Sequence, residues 1–355
     1  MKILYAALRH DPKNPDLASG VDYNFYNCFL SAGFKVKIVG PFTDPPLLIE
    51  RLIKKIYVKF TGKRYLKWDL SLILKASYAV NQAEKIYKPD VIFTIFPATI
   101  FQYKGRTPIV FRTDTTFQGW QEGGANFGRL PLRILTMIEH SAVKKSSCII
   151  TFSDWCKNEL IKRHRICKDK IYVLPMPSAL PSYCVPKKID LSLKKLQLPL
   201  KLLLVGRDYK RKGVDIAINI NKELNKIGIA SELTVCGLSE REIPKQKISN
   251  VKFVGPYRKS KPEELKEYIA LYQSAHFLLH PARFEPAGIA PAEAAAFGVP
   301  TITNNVGGLA TSVKDGVSGI VLPKFSPPDS YIKVILSFLR NQEAYYKLCE
   351  TTRRN

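Results

Sequence analysis

Two glutamates eight positions apart, Glu285 and Glu293, lie in the part of the chain whose residue types most strongly indicate chemistry. Glu285 follows the apolar run AHFLLHPARF, which predicts a buried strand that leads into a loop. Gly288 and Pro291 interrupt the chain before the alanine-rich run AEAAAF, which predicts a helix with Glu293 in its first turn. The free N–H groups and the dipole at such a helix start suit a diphosphate. Because carboxylates accept hydrogen bonds from sugar hydroxyls, the segment is consistent with a nucleotide-sugar pocket. A glutamate in the first turn of a helix is also stabilising for electrostatic reasons alone, and the two acids by themselves leave both interpretations open.

A second group of charges lies in VGRDYKRKGVD, residues 205–215. The run LKLLLVG predicts a strand that ends at Gly206, so Arg207 and Lys212 belong to the following loop, with Arg211 as a further candidate. The fork of arginine and the compact charge of lysine suit diphosphate oxygens and stabilise the charge that develops on a leaving group. A basic loop is also an ordinary solvated surface, and these residues alone leave both interpretations open.

Apolar runs that favour strands alternate with helical patterns along the chain. Strands are predicted at MKILYAAL, KVKIVG, DVIFTIF, TPIVFR and SCIITFS, and then at LKLLLVG, SELTVCG, NVKFVG, FLLHP, PTITN and GIVLP. This alternation indicates βαβ units with parallel sheets, which bind ligands at the carboxyl ends of their strands. We therefore expect an α/β protein with two Rossmann-like domains whose parallel sheets face a cleft.

The segment PMPSALPSYCVPKKIDLSLKKLQLP separates the two sets of strands. It is rich in Pro, Ser and Lys and has no sustained periodicity, which is typical of a linker. We expect the first domain over residues 1–178, the linker over 179–198 and the second domain over 199–355.

The composition is that of a globular protein with a strong positive charge. Of 355 residues, 46% are hydrophobic and 24% are charged, and 55 Lys and Arg against 30 Asp and Glu give a formal charge of +25. This charge favours anionic partners, but no RNA-binding or zinc-finger signature is present, so we expect no nucleic-acid partner. No apolar run reaches the roughly 18 to 20 residues of a membrane-spanning helix. The seven cysteines form no CxxC pair or Cys/His cluster, so we expect no metal site and reduced thiols in the cytoplasm.

The chain resembles the family 4 glycosyltransferases, which are retaining enzymes of the GT-B fold. RFEPAGIAPAEAAAFGVPTITNNVGG is similar to the family's E-x7-E signature, and G-R-x-x-x-x-K-G at residues 206–213 matches its basic loop. TFSDWCKNEL is similar to the S-x-W-x-x-x-x-L segment of the first domain. KIYVLPMPSA resembles the family's linker entry, with Met176-Pro177 where Asn-Gly is usual. After GIVLP the sequence has one more helical run, so we expect it to lack the family's final crossover helix.

The resemblance implies a metal-independent, retaining hexosyltransferase whose second domain binds the donor and whose first domain binds the acceptor. Glu293 would hold the ribose hydroxyls, and Glu285 would be a catalytic residue that holds the transferred sugar. The diphosphate would lie against Arg207, Lys212 and the backbone amides of Gly288 and Ile289. Because the nucleotide-sugar is itself a substrate, no cofactor is expected.

Four further residues in loops or at strand ends are candidates for the acceptor, sugar or phosphate sites. Gly20 in LASGVD matches the family's Gly-rich turn, which approaches the donor phosphates, or is an ordinary loop glycine. Asp114 follows TPIVFR and is a candidate catalytic acid or base, or a cap of the next segment. His10 after the first strand and Asn304 after PTITN are candidates for acceptor or sugar contacts.

Residues 47–67 combine apolar and basic side chains at helical spacing. Apolar residues fall at 49, 52, 53, 56, 57 and 60, and Arg51, Lys54, Lys55 and Lys59 lie on the opposite side. Such a helix binds in the plane of an anionic membrane surface, or it packs on its own domain with the lysines in water. The sequence leaves the two interpretations open, and the first suits a lipid or lipid-linked acceptor.

These features predict a retaining glycosyltransferase that moves a sugar from a UDP- or GDP-sugar to a hydroxyl of a glycan, lipid or lipid-linked acceptor. Glycan, cell-envelope polysaccharide or glycolipid synthesis would use this reaction. We expect the protein in the cytoplasm, with a peripheral position on the cytoplasmic membrane face. The alternative is a non-catalytic GT-B protein that binds sugar nucleotides or membrane surfaces. The presence of both glutamates and both phosphate-binding cations argues against this alternative.

Overall fold

A computed structural model describes residues 1–244 and 249–354 of the chain. The chain divides into two compact units, Met1–Leu174 and Pro175–Asn355, and each contains a six-stranded sheet in its described part. All seven cysteines lie in the described ranges and none forms a disulfide there. The two parallel sheets with their helices are the pair of Rossmann-like units that the sequence predicts.

The sheet of the first unit is parallel throughout its described pairings. Its strands are β1 (Lys2–Ala6), β2 (Lys35–Val39), β3 (Val91–Thr94), β4 (Ile109–Arg112), β5 (Cys148–Thr151) and β6 (Ile171–Val173). They lie in the order β2-β1-β3-β4-β5-β6, so the direction of strand addition reverses between β1 and β3. Ile3, Leu4, Tyr5 and Ala6 of β1 are all buried, as expected for a parallel sheet covered on both faces.

Six helices of the first unit occur in its described residues. They are α1 (Val21–Ser31), α2 (Leu48–Thr61), α3 (Leu70–Tyr87), α4 (Phe117–Trp120), α5 (Arg129–Lys145) and α6 (Asp154–His164). Helix α3 buries Leu72, Ile73, Ala76 and Val80, which share one face at helical spacing. Helix α2 differs because none of its residues is buried.

The second unit repeats this architecture. Its strands are β7 (Leu200–Val205), β8 (Ser231–Cys236), β9 (Val251–Val254), β10 (Phe277–His280), β11 (Thr301–Asn304) and β12 (Gly319–Leu322). The strand order is β12-β11-β10-β7-β8-β9, and the described pairings are parallel. The reversal therefore lies between β7 and β10.

The helices of the second unit include two where the sequence predicted a single C-terminal run. They are α7 (Val214–Lys226), α8 (Pro262–Ser274), α9 (Ile289–Ala296), α10 (Leu309–Ser312), α11 (Pro328–Arg340) and α12 (Gln342–Arg354). Asn341 separates the last two, and its side-chain oxygen accepts a hydrogen bond from the Ala344 N–H at 3.0 Å. Asparagine is a good cap for such a helix start, which explains the break.

The segment 179–198, which we expected to be a linker, lies in the second unit and packs against it. Apart from two short 3-10 turns it is irregular, and Leu180 and Leu196 are buried. The Lys194 ammonium donates to three backbone carbonyls at the end of α8, at distances from 3.2 to 3.4 Å. Burial lowers the pKa of Lys194 to about 8.

Candidate functional site

Three loops of the second unit follow neighbouring parallel strands, β7, β10 and β11. The loops span residues 206–213, 281–288 and 305–308. The strand order reverses between β7 and β10, and open α/β sheets bind ligands at the carboxyl ends of the strands at such a point. These loops carry the residues that the sequence predicted for the diphosphate and the transferred sugar.

Arg283 fastens the loop after β10 to the loop after β7. Its guanidinium donates to both carboxylate oxygens of Asp215, in the first turn of α7, at 2.7 and 2.8 Å. It also donates to the Lys210 carbonyl at 2.8 Å, and its backbone N–H donates to the Arg211 carbonyl at 2.8 Å. Because a bidentate arginine–carboxylate pair is geometrically specific, these contacts fix the basic loop relative to Glu285.

Glu285 lies where the three loops meet. Its Oε2 accepts hydrogen bonds from the Lys212 ammonium and from Arg211, the second at 3.1 Å. Nε2 of His280, the last residue of β10, is 3.6 Å from the same oxygen. The Gly308 N–H donates to the backbone carbonyl of Glu285 at 2.9 Å, which ties in the loop after β11. The structure thus joins Glu285 to Lys212, which the sequence predicted as parts of one site.

The charges of this cluster stabilise one another. Burial alone would raise the pKa of Glu285, but Lys212, His280 and Arg211 hold it well below its usual range. Burial lowers the pKa of His280, and Lys212 adds to this effect, so the imidazole is neutral at pH 7. Burying a carboxylate or an ammonium without a partner is costly, so Glu285 and Lys212 each stabilise the charged form of the other. The Lys212 ammonium has three donors, and two remain for other oxygens.

Helix α9 starts beside this cluster. Gly288 precedes it in the left-handed region, with φ +83°, and its N–H donates to Glu285 Oε1 at 3.4 Å. Ile289 is the first helical residue, and Pro291 follows in the first turn, where its missing N–H has no partner to lose. The amides that the sequence predicted for the diphosphate therefore lie at a helix start next to Lys212, where anions are favoured.

Glu293 is 1% exposed and is held by a separate set of side chains. Its Oε1 accepts from the Lys259 ammonium at 2.6 Å, and its Oε2 accepts from the hydroxyls of Tyr268 and Tyr272 at 2.6 and 2.9 Å. Burial and the Glu293 charge raise the pKa of both tyrosines well above their usual value, so both remain O–H donors. Because a carboxylate oxygen accepts two hydrogen bonds, Oε1 has room for one more donor.

Arg207 is exposed at the start of the basic loop and lines a cavity of about 380 Å³. The other lining residues are Gly255, Pro256, Tyr257, Arg258 and Glu264. Arg258 donates to Glu264 at 2.6 and 3.0 Å and holds the pKa of that carboxyl at about 2. The cavity has the size of a small-molecule site.

Asn304, which we expected to contact sugar, has an internal role in the second unit. It is fully buried at the end of β11. Its Oδ1 accepts from the Tyr331 hydroxyl at 2.7 Å, and its Nδ2 donates to the Ala282 carbonyl at 3.5 Å. These bonds connect β11 to α11 and to the loop that carries Glu285, so Asn304 supports the site from within.

In the first unit, Gly20 and His10 lie near Asp22, a carboxylate that the sequence did not single out. Gly20 is buried directly before α1 with φ +83°, and Asp22, in the first turn, is 2% exposed. Nδ1 of His10 is 3.9 Å from Asp22 Oδ2. Burial raises the pKa of Asp22, Arg112 and His10 oppose this effect, and the Asp114 charge adds to it. His10 and Asp114 therefore act on the same buried carboxyl group.

Arg112 ends β4, two residues before Asp114, and is also buried. Its guanidinium carbon lies 4.3 Å from the centre of the Phe152 ring. Within the described residues, neither Nε of Arg112 nor Oδ1 of Asp22 has a hydrogen-bond partner. Buried polar atoms are normally satisfied, so a pair of unsatisfied ones is more typical of a functional site than of a core.

Replacing Asp22 with Asn should stabilise the first unit at pH 7. The pKa of Asp22 is higher in the folded protein than in the unfolded chain, so ionisation of this carboxyl lowers the free energy of unfolding. The fold is therefore more stable at low pH, where Asp22 is protonated, and loses this stability as the pH rises. Asn keeps the shape without the charge, so we expect the Tm to rise by about 2–4 °C, equivalent to about 1 kcal/mol. Thermal unfolding at pH 7 and at pH 4 measures this, and the gain should shrink at pH 4. A lower Tm at pH 7 would show that the charge supports the fold.

Sequence reasoning missed several residues of both sites. Tyr268 and Tyr272 are four positions apart in KPEELKEYIALYQSA, a spacing that places both hydroxyls on one helix face and could have been noticed. Asp22 was not distinctive in the sequence, because acidic residues are common in the first turn of a helix for electrostatic reasons. Lys259 and Arg112 carried no local signal.

Two family models match the chain, one in each half. The model described as Glycosyltransferase Family 4 matches residues 23–177, and the model described as Glycosyl transferases group 1 matches residues 189–355. The chain belongs to the family 4 glycosyltransferases. This membership confirms the resemblance carried by the E-x7-E segment and by the basic loop.

Among characterised members, the matches cover part of each sequence. A glycogen synthase of Mycobacterium tuberculosis (strain ATCC 25618 / H37Rv) is 32% identical over 129 residues, which are 34% of this chain and 30% of that protein. The chain spans about a third of the length of the first curated relatives it matches.

Solved structures of the GT-B fold match over the whole chain. A sucrose-phosphate synthase from Thermosynechococcus elongatus has a TM-score of 0.70 at 17% identity, covering 100% of this chain and 93% of that one. HepE of Anabaena, solved in complex with UDP-glucose, has a TM-score of 0.59 at 15% identity, with 100% and 94% covered. The likeness shows that this family member has the GT-B fold, as the sequence predicts.

Proposed function

We propose that this chain is a retaining glycosyltransferase that moves a sugar from a UDP- or GDP-sugar to a hydroxyl acceptor. The observation that carries the proposal is the cluster of the buried Glu285 and Lys212 with the half-buried Arg211 at the start of α9. It combines a hydroxyl-accepting carboxylate, cations and the backbone amides of a helix start, which are the groups that a nucleotide-sugar requires.

Each part of the donor has a candidate partner in the second unit. Lys212, Arg207 and the start of α9 bind the diphosphate, and Glu285 holds the hydroxyls of the transferred sugar. Glu293 holds the ribose through the free acceptor position on its Oε1. The cavity beside Arg207 has room for a nucleobase. The UDP-glucose bound by HepE supports a nucleotide-sugar as the donor class.

The reaction breaks the bond between the anomeric carbon and the leaving phosphate oxygen, and it forms a bond between that carbon and the acceptor oxygen. The acceptor attacks from the face that the diphosphate leaves, so the anomeric configuration is retained. The acceptor proton passes to the departing phosphate oxygen. Lys212 and the α9 amides stabilise the charge on the diphosphate as the bond breaks.

The proposed reaction is independent of metal ions. Arg207, Arg211 and Lys212 supply the positive charge that a divalent cation would otherwise bring to the diphosphate. The donor is consumed as a substrate, so the proposal includes no cofactor.

The acceptor side of the proposal rests on the first unit. Asp114 is partly exposed just after the end of β4 and accepts a hydrogen bond from the acceptor hydroxyl, which activates that oxygen before its proton passes to the departing phosphate oxygen. His10 and the backbone at Gly20 complete this part of the site beside Asp22. The acceptor is a glycan, lipid or lipid-linked sugar in the synthesis of glycans, cell-envelope polysaccharide or glycolipid.

The proposed location is the cytoplasm, with a peripheral position on the membrane face. In the part of the chain that the structure describes, no helix has the length and apolarity needed to cross a bilayer. The support for a membrane position is the exposed basic helix α2, whose apolar side chains face solvent.

Product analysis tests the proposed reaction. The protein is incubated in EDTA with UDP- and GDP-sugars and a mixture of glycan and glycolipid acceptors. We expect release of one nucleoside diphosphate and a new glycosidic bond with the anomeric configuration of the donor, measured by NMR. An inverted product would contradict the retaining mechanism. Nucleotide binding without release or transfer would favour a non-catalytic protein.

A further inference from the structure

Helix α2 carries an apolar surface that no part of the described chain covers. None of its residues is buried. Its exposed apolar side chains, with exposures from 43% to 81%, are Leu48, Ile49, Leu52, Ile53, Ile56, Val58 and Phe60. The structure therefore does not favour packing on its own domain, which was one of the two interpretations of this segment. An exposed apolar face of this extent is typical of an interaction site.

Polar contacts fix α2 to the first unit and leave this face outward. Glu50 accepts hydrogen bonds from the backbone N–H and the hydroxyl of Ser71, at 2.8 and 2.5 Å. The Tyr57 hydroxyl lies so close to Gly128 that a Cβ at that position would clash with it. The Tyr57 ring is 5.1 Å from that of Tyr65. The helix is thus held along one side, and the remaining surface is free.

The free surface is strongly basic. Arg51, Lys54, Lys55 and Lys59 are all exposed. Glu50 is the single acidic residue of α2, and Ser71 already occupies its carboxylate. Basic residues beside an exposed apolar stripe complement the anionic headgroups and apolar chains of a lipid surface.

Exposed apolar and basic side chains also occur at the start of α5, close to the end of α2. The backbone of Arg64, just after α2, pairs with Asn126 and Gly128, at 2.9 and 3.0 Å, directly before α5 begins. Leu130 is 62% exposed in the first turn of α5, and Arg129 and Arg133 are exposed beside it. The α2 face therefore comprises the exposed residues of α2 together with Arg129, Leu130 and Arg133.

We propose that the α2 face docks on an anionic lipid bilayer, with α2 lying in the plane of the headgroups. The apolar side chains enter the boundary between headgroups and acyl chains, and the lysines and arginines contact lipid phosphates. A second copy of the chain is a poorer occupant, because it would bring the same positive charge to the contact. The inference rests on the proposed function in one respect: docking brings the enzyme to a lipid-linked acceptor.

Vesicle sedimentation with the full chain tests the proposal. At physiological ionic strength we expect binding to vesicles of equal parts phosphatidylcholine and phosphatidylglycerol, at least about tenfold stronger than to phosphatidylcholine alone. Replacing Lys54, Lys55 and Lys59 with Gln should weaken binding about 100-fold. The double variant Ile53→Asp/Phe60→Asp should weaken it at least about tenfold.

Ile86→Asp is the matched control. Ile86 lies on α3 of the same unit and is 75% exposed. The substitution therefore places a carboxylate at an exposed apolar position outside the α2 face. Binding by this variant should match that of the unsubstituted chain. All these side chains are exposed, so the variants should keep the Tm of the parent.

Three results would overturn the proposal. These are the absence of vesicle binding, equal binding to both lipid compositions, and binding that the α2 variants do not weaken. A dimer in solution that Ile53→Asp/Phe60→Asp dissociates would instead assign the face to a second copy. Nucleotide binding by the same variant separates this outcome from failure of the proposed function, since donor binding uses the second unit.

Discussion

Replacing Lys212 with Met should lower turnover of the nucleotide-sugar at least about 100-fold. The ammonium lies against Glu285 at the start of α9, where the diphosphate charge develops in the proposed reaction. Met retains the length of the side chain and removes its charge. Initial rates at saturating donor measure the effect on kcat, so that any loss of donor affinity, which raises KM, is counted separately.

Lys210→Met is the control for this substitution. Lys210 lies in the same loop, but its side chain is 73% exposed and is 3.5 Å from Asp215. A surface pair of this kind contributes at most about 1 kcal/mol, so Lys210→Met should keep turnover within about twofold. The Lys210 carbonyl, which accepts from Arg283, is unchanged by the substitution. Equal rates for the two variants would remove Lys212 from the site.

Glu293→Gln should reduce both the stability of the second unit and its affinity for the nucleotide. Lys259 and two tyrosine hydroxyls share the buried carboxylate, and Gln removes the negative charge that all three donors contact. Breaking a buried pair costs about 3–5 kcal/mol, which lowers the Tm by about 6–20 °C for a unit of this size. A lost charge-assisted bond to ribose would weaken nucleotide binding about tenfold to 100-fold.

Tyr272→Phe separates the two effects of Glu293. It removes one hydroxyl donor to Oε2 and leaves Oε1, which would bind ribose, with its Lys259 contact. We expect a lower Tm with nucleotide affinity unchanged, as measured by calorimetry below the Tm. If Glu293→Gln binds nucleotide as well as the parent, the ribose role is wrong and Glu293 is a structural residue alone.

The sequence predicted the strands more completely than it predicted their surroundings. Apolar runs such as LKLLLVG and PTITN identify β7 and β11. A parallel strand that is buried on both faces consists almost entirely of apolar residues, so its sequence is easy to detect. The strand β6 has three residues and lay in a segment that resembled a linker entry. The apolar residues Ala179, Leu180 and Leu196 are buried in the segment 179–198, but their positions follow neither the period of a strand nor that of a helix.

For the site, local patterns were informative where one loop supplies the groups. The left-handed Gly288 and the start of α9 follow from Gly and Pro chemistry within a few residues. The network around Glu293 depends on Tyr268 and Lys259, which lie 25 and 34 positions away, and no local rule joins them. The exposure of α2 likewise depends on which neighbours reach it, and spacing alone does not determine this.

A thermal-shift series with UDP, GDP, ADP and their sugar conjugates in EDTA tests the central claim that the second unit is a nucleotide-sugar donor site. Ligand at about 100 times its Kd stabilises the folded state by about 2.7 kcal/mol, which should raise the Tm by about 5–11 °C for one nucleotide family. The Lys212→Met variant should show a smaller shift. If no UDP or GDP compound raises the Tm of the parent chain, the donor-site assignment is wrong.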